Sequence, residues 1–265
     1  MHTVILNEVK NLIEEGFRFF ANAQNDKPFL SGRLKTMRNP TRRNKNIGTA
    51  KQGHGQNNAL TLPRSGDKVY YEKLVDPVAE TRTVNGHAFL FVTEKTKPEY
   101  QHACSVDDII AVIAAILKED YGDLRFIVLR QPKRKEEILS AVWGRFVPAY
   151  AFGKETAPAI ILEAVNYKKP FKCSKKLSVE WKKEIDRLVA DGHKVTDDGR
   201  NYIIHCDLNS VRNTQLYRTL PHEFGHYVHY CAHGREQWSN LPRAEKKAFA
   251  HAYAARVREG LARES

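Results

Sequence analysis

His222, Glu223 and His226 are the residues whose types and spacing are most directly suited to chemistry. In Leu220-Pro221-His222-Glu223-Phe224-Gly225-His226-Tyr227-Val228-His229 they spell H-E-x-x-H. At 3.6 residues per turn the two histidines lie one above the other on one helix face. Two imidazoles so placed can grip one zinc ion, with the carboxylate beside them positioned to take a proton from water. Three fixed positions also coincide by chance on surface helices, so the flanking pattern matters. Leu216, Leu220, Phe224 and Val228 recur at every fourth position, the period of a helix buried along one side. Pro221 either opens the helix, with Thr219 as its cap, or bends a helix that begins further upstream.

A hydrolytic zinc takes a third protein ligand and leaves a fourth position for water or substrate. Glu245 is the first choice. It sits in Pro242-Arg243-Ala244-Glu245-Lys246-Lys247-Ala248-Phe249-Ala250, a second helical segment, and the span 232–241 with Gly234, Ser239 and Asn240 lets the chain turn back. The rivals are His229, His233 and His251. His229 and His226 within two turns of His222 would strain a tetrahedral set; His233 lies beyond the expected helix end, and His251 about two turns past Glu245.

The pair of segments resembles the ImmA/IrrE-type metallopeptidases and, more broadly, the gluzincins: His222-Glu223-Phe224-Gly225-His226, then Glu245-Lys246-Lys247-Ala248-Phe249-Ala250 after a short loop. The resemblance covers roughly residues 159–258, less than half of the chain. It implies that His222, His226 and Glu245 bind Zn2+ and that Glu223 activates water. It also implies a zincin-like domain in which an edge strand beside the motif helix pins an extended peptide. The metzincin pattern is not met, since position 229 is His rather than Gly and position 232 is Ala rather than His.

The chain has 265 residues, enough for one large domain or two modest ones. No run of 18 apolar residues exists, so no membrane span is expected, and the first residues lack the pattern of a secretory signal. Four scattered cysteines form no C-x-x-C pair. A cytoplasmic setting is therefore expected. The net charge of +12 favours polyanionic or acidic partners without identifying one. Much of that charge lies in the span 27–66, which holds nine Lys/Arg residues and no acidic one. Arg38, Arg42, Arg43 and Lys45 are its dense part and the candidates for contact with DNA or RNA phosphates; the plainer reading is a solvated linker.

Along the chain, residues 5–20 carry an amphipathic helical pattern. Val69 to Leu74 reads as a strand, and Asn85-Gly86 between two β-rich runs signals a hairpin. Ser105 and Asp108 form a capping box before an apolar helix. Leu124 to Leu129 and Ala159 to Val165 read as inner strands, Lys133 to Trp143 and Ser178 to Ala190 as helices, and Val195 with Tyr202 to Cys206 as a second hairpin. The expected fold is α+β: a basic arm over 1–66, a β-hairpin region over 67–98, and a zincin-like domain over 99–265 with a mixed sheet and the H-E-x-x-H helix. Tyr202 to Cys206 or Ala159 to Val165 is the expected substrate edge.

The expected reaction is zinc-dependent hydrolysis of a protein or peptide. Zinc lowers the pKa of water from ~15.7 towards ~7 and polarises the carbonyl. Glu223 moves the proton from water to the leaving amine. His229, His233, His251 and Tyr253 are candidates for the donor that steadies the oxyanion, and His205 for a residue lining the cleft. The alternative is a nucleic-acid-binding or regulatory protein whose zinc site is not catalytic.

Overall fold

A computed structural model describes residues 69–139, 143–174 and 179–264. Of the described residues, those from 69 to 133 and from 143 to 264 cluster as one compact unit. The expected helix over 5–20 and the basic residues Arg38, Arg42, Arg43 and Lys45 lie outside the described residues.

Chain order begins with β1 (Tyr70–Tyr71), β2 (Val78–Val84), β3 (His87–Thr93), β4 (Tyr100–Gln101), α1 (Val106–Ala114) and β5 (Phe126–Arg130). A short helix, α2 (Arg134–Leu139), falls in the other unit. Then come β6 (Gly144–Phe152), β7 (Glu155–Glu163), β8 (Val165–Asn166), β9 (Phe171–Ser174), α3 (Val179–Ala190), β10 (Lys194–Asp197) and β11 (Asn201–His205). The chain ends in α4 (Leu208–Thr214), α5 (Leu220–Asn240) and α6 (Arg243–Glu264). The fold class is α+β.

Six strands form a mixed sheet in the order β1-β6-β7-β5-β3-β2. The hairpin β2–β3 turns on Asn85 and Gly86, both at positive φ (50° and 80°), the requirement of a type I′ turn. Because β3 pairs in parallel with β5, this hairpin forms one end of the main sheet. The capping box at α1 is formed in both directions between Ser105 and Asp108. The strand expected over Val69 to Leu74 is reduced to Tyr70–Tyr71, which pairs with Tyr150 and Ala151.

Strand β5 is buried on both faces, and its alternation divides the core. Ile127 and Leu129 join Phe89, Ile109, Ile113, Leu220, Phe224 and Tyr227 in the cluster that receives α1, α5 and α6. Phe126 and Val128 join Val92, Tyr150 and Ile161 on the opposite side. At the end of β5, Arg130 is fully buried and paired at 2.9 Å with both Glu72 and Glu163, while Arg145 holds Glu163 at 2.6 Å. A buried guanidinium tolerates this position because carboxylates compensate its charge.

Two strand expectations are corrected. β7 lies between β6 and β5, and β11 lies between β10 and β9, so neither is an edge. The strand against the motif helix is β6, which the sequence reading left unassigned. Its Pro148 removes a ladder donor, and the register of β6 on β7 shifts between Val147 and Tyr150, where that proline falls.

Candidate metal centre

The motif helix does not begin at Pro221. From Asp207, whose side chain caps α4 by accepting from the N–H groups of Asn209 and Ser210, the helical path continues through a π turn over Gln215–Thr219 into α5. Leu220 N–H bonds Gln215 O, an i to i−5 bond. Pro221 has no N–H to offer, and the widened turn just before it absorbs the break in the ladder. Of the two sequence alternatives, the upstream helix carried into the motif is the one found.

Glu223 is buried where α5 crosses β6, and its Oε2 accepts the Phe146 N–H at 2.7 Å. Burial raises its pKa to about 7, opposed by that N–H and by the charges of Arg145 and Lys247. His222 and His226 stand with ring centroids 4.7 Å apart. Burial depresses both, to about 2 and about 4, and Lys247 adds to the depression of each. Both imidazoles are therefore neutral at pH 7, the form that binds a metal. Their Nδ1 atoms are buried without a hydrogen-bond partner.

Helix α6 returns alongside α5. A Cβ on Gly225 would meet Ala250 Cα at 2.8 Å and Tyr253 Cβ at 2.9 Å, so the glycine is what allows the two backbones to approach. His251 stands against His222 with centroids 4.5 Å apart, and Phe249 stacks on His229 at 4.4 Å and 16°. These contacts run in opposite directions along the two helices, so the pair is antiparallel. The consequence for Glu245 is direct. Six residues before His251, it lies about 9 Å further along α6. It falls in with His229 and His233, not with His222 and His226.

His229, His233 and Glu245 are a His/His/Glu cluster capable of coordinating a metal ion, with one ligand atom from each lying within 4.8 Å of the others. It is the one such group of three or more His, Cys, Asp or Glu among the described residues. His229 is 2% exposed and its Nδ1 has no partner. His233 Nδ1 bonds the His229 carbonyl at 2.9 Å. Immediately after it, α5 breaks at Gly234, whose φ of 71° lies in the left-handed region.

The remaining candidates are placed elsewhere. Tyr253 is buried in the core and its hydroxyl donates to Asp120 at 2.8 Å. His205, on β11, pairs with Thr196 Oγ1 at 3.2 Å. Sequence reasoning missed Phe146, which supplies the N–H to Glu223, and Trp238. The Trp238 ring lies 6.0 Å from Phe146, 5.6 Å from Tyr230 and 6.4 Å from His226. An aromatic in the polar stretch 234–240 was the available signal for Trp238; none marked Phe146, since its contribution is a backbone group.

Tyr227 anchors α5 to the sheet side. Its hydroxyl accepts the N–H groups of Asp123 and Leu124 at 2.7 and 3.0 Å. Gly122, at φ 47°, leaves room for it, since a Cβ there would stand 2.3 Å from that oxygen.

The fold is thus α+β, and the seam between its last two helices carries a His/His/Glu cluster capable of coordinating a metal ion. No helix among the described residues is long and apolar enough to cross a membrane. No family model matches the chain, and neither does any curated protein or solved structure.

Proposed function

We propose that this protein is a zinc-dependent peptidase of the zincin type, with Glu223 as general base. The observation that carries the reading is the placement of Glu223. It is a buried carboxylate beside two neutral histidines, fixed by a backbone N–H and lifted to about 7. A base of that pKa can accept and return a proton near neutrality.

The residues fit a metal. His222 and His226 offer uncharged rings whose buried Nδ1 atoms lack partners, and His251 brings a third imidazole against His222. We assign His222 and His226 as two ligands of the hydrolytic zinc, and His251, whose ring stands against His222, as the third that would have to draw in to complete the set, in place of Glu245. Zinc held there polarises a substrate carbonyl and acidifies water.

The chain itself does the rest. Glu223 removes a proton from the attacking water and delivers it to the leaving amine. The substrate is a protein or peptide whose scissile carbonyl is brought beside Glu223, where the Phe146 N–H of β6 already holds that carboxylate.

The test is cleavage of an unfolded protein such as casein by the full-length, zinc-loaded chain. Glu223→Gln should retain zinc and lose about 10²–10⁴-fold in rate, the range for a general base. Wild-type cleavage rates in Glu223→Gln, or no cleavage by the wild type, would overturn the reading.

A further inference from the structure

Four histidines at 222, 226, 229 and 233 follow the spacing i, i+4, i+7, i+11, a single stripe along α5. The proposed peptidase uses only the first pair. The second pair has the same separation, its own carboxylate from α6, and no part in the hydrolysis. We propose that His229, His233 and Glu245 form a second, structural zinc site that fastens the broken end of α5 to the first turn of α6.

Three observations point to a ligand. First, the three donors already converge within 4.8 Å without help from any other described group. Second, His229 is 2% exposed, yet its Nδ1 is unpartnered. Leaving such an atom unsatisfied forfeits its hydration without return, a cost that coordination would remove. The ring has little freedom to seek water, because it is stacked on Phe249. Third, His233 has its Nδ1 on the His229 carbonyl at 2.9 Å. A bond of this kind to a backbone carbonyl fixes the tautomer of a ligating histidine and leaves Nε2 free.

The donor set selects the metal class. Two imidazoles and one carboxylate suit zinc, whereas magnesium and calcium favour all-oxygen surroundings. The location gives the purpose. Gly234 ends regular helix one residue after His233, and the chain reverses before α6 starts at Arg243. A bridge from 229 and 233 to 245 closes this reversal. Lys246, the neighbouring cation, is occupied by the Trp238 face at 4.2 Å and by the Ser239 carbonyl at 3.3 Å.

This inference stands on its own donors and does not depend on the peptidase reading. The test is zinc content by elemental analysis of the full chain and its variants after dialysis, with melting temperature as a second readout. Wild type should carry one zinc ion per chain from this site, and two where the peptidase site is also filled, the case to which the next counts apply. His233→Ala and the near-isosteric Glu245→Gln should each carry one, and His222→Ala should also carry one. In His222→Ala, chelation should still lower the melting temperature; in His222→Ala/His233→Ala it should not. Unchanged zinc content in both His233→Ala and Glu245→Gln overturns the second site, whatever the peptidase assay gives. Loss of zinc in those variants with no casein cleavage by wild type upholds it and removes the peptidase reading instead.

Discussion

The two ends of the α5–α6 seam are built from the same parts and finished differently. At one end H-E-F-G-H supplies two histidines with a buried glutamate between them; at the other H-Y-C-A-H supplies two histidines with no carboxylate between them. The first end faces His251 and the charge of Lys247, the second faces Glu245. One end therefore has a buried carboxylate between its own histidines, and the other a carboxylate delivered by the partner helix. The spacing of histidines alone identifies neither role. What separates them is the residue after the first histidine and the residue that the antiparallel partner delivers opposite.

The largest expected difference between the two ends in metal-free protein is an alkaline-side loss of stability that only the first end carries; on the acid side both ends lose stability, since burial depresses His222 and His226 as well as His229. Burial lowers His229 from 6.5 to about 4, so its contribution to stability is complete above pH 6.5 and is lost as pH falls towards 4. Burial raises Glu223 from 4.5 to about 7, so its contribution is complete below pH 4.5 and is lost as pH rises through 7. Each shift corresponds to up to about 3 kcal/mol. Urea midpoints of chelated protein between pH 4 and 8 should show Glu223→Gln flattening the alkaline-side loss and His229→Asn flattening part of the acid-side loss. If both variants alter the same limb, the two ends do not differ as described.

Next in size is the contact that both ends share. Gly225→Ala places a methyl group against the Ala250 backbone, where no flexible side chain can give way. Separating α5 from α6 in this way should cost about 1–3 kcal/mol. Urea unfolding measures it directly, and zinc affinity at both ends should fall together. A loss at one end alone would mean that the seam does not move as a unit.

A third change converts one end towards the other. Lys247 presses against His222 and His226 electrostatically, which opposes a cation between them. Lys247→Glu replaces that repulsion with attraction. Zinc affinity at the first end should rise by about tenfold or more, on the order of 1–2 kcal/mol for a partly screened charge reversal. Competition with a chromophoric chelator in a His233→Ala background isolates that end. No gain there would show that Lys247 stands clear of the metal.

Much of this was legible in the sequence. The type I′ turn at Asn85-Gly86, the Ser105–Asp108 capping box and the buried face of the motif helix each depend on residues close in the chain, and each follows from local rules. The partners of the histidines were not legible in the same way. Whether Glu245 or His251 meets His222 is decided by the register of two helices, and that register is fixed by Gly225 meeting Ala250 and Tyr253. Strand β6 was hidden for another reason. Pro148 and the irregular pairing around it interrupt the period-two pattern, so the strand that holds Glu223 looks like a loop.

The smallest expected effect concerns the loop that joins the two helices. Lys246 lies over the Trp238 ring at 4.2 Å and donates to the Ser239 carbonyl at 3.3 Å, so it ties the start of α6 to the end of α5. A partly exposed cation–π contact contributes about 0.5–1 kcal/mol. Lys246→Met keeps most of the aliphatic stem and removes the charge. In metal-free protein it should lower stability by that amount. With zinc present the loss should shrink, because the bridge from His229 and His233 to Glu245 holds the same two segments and removal of a nearby cation favours it. A double-mutant comparison with Glu245→Gln, read by melting temperature at saturating zinc, measures the coupling. Additive losses in the presence of zinc would mean that the metal does not bridge this turn; a larger combined loss would mean that the two fastenings support each other.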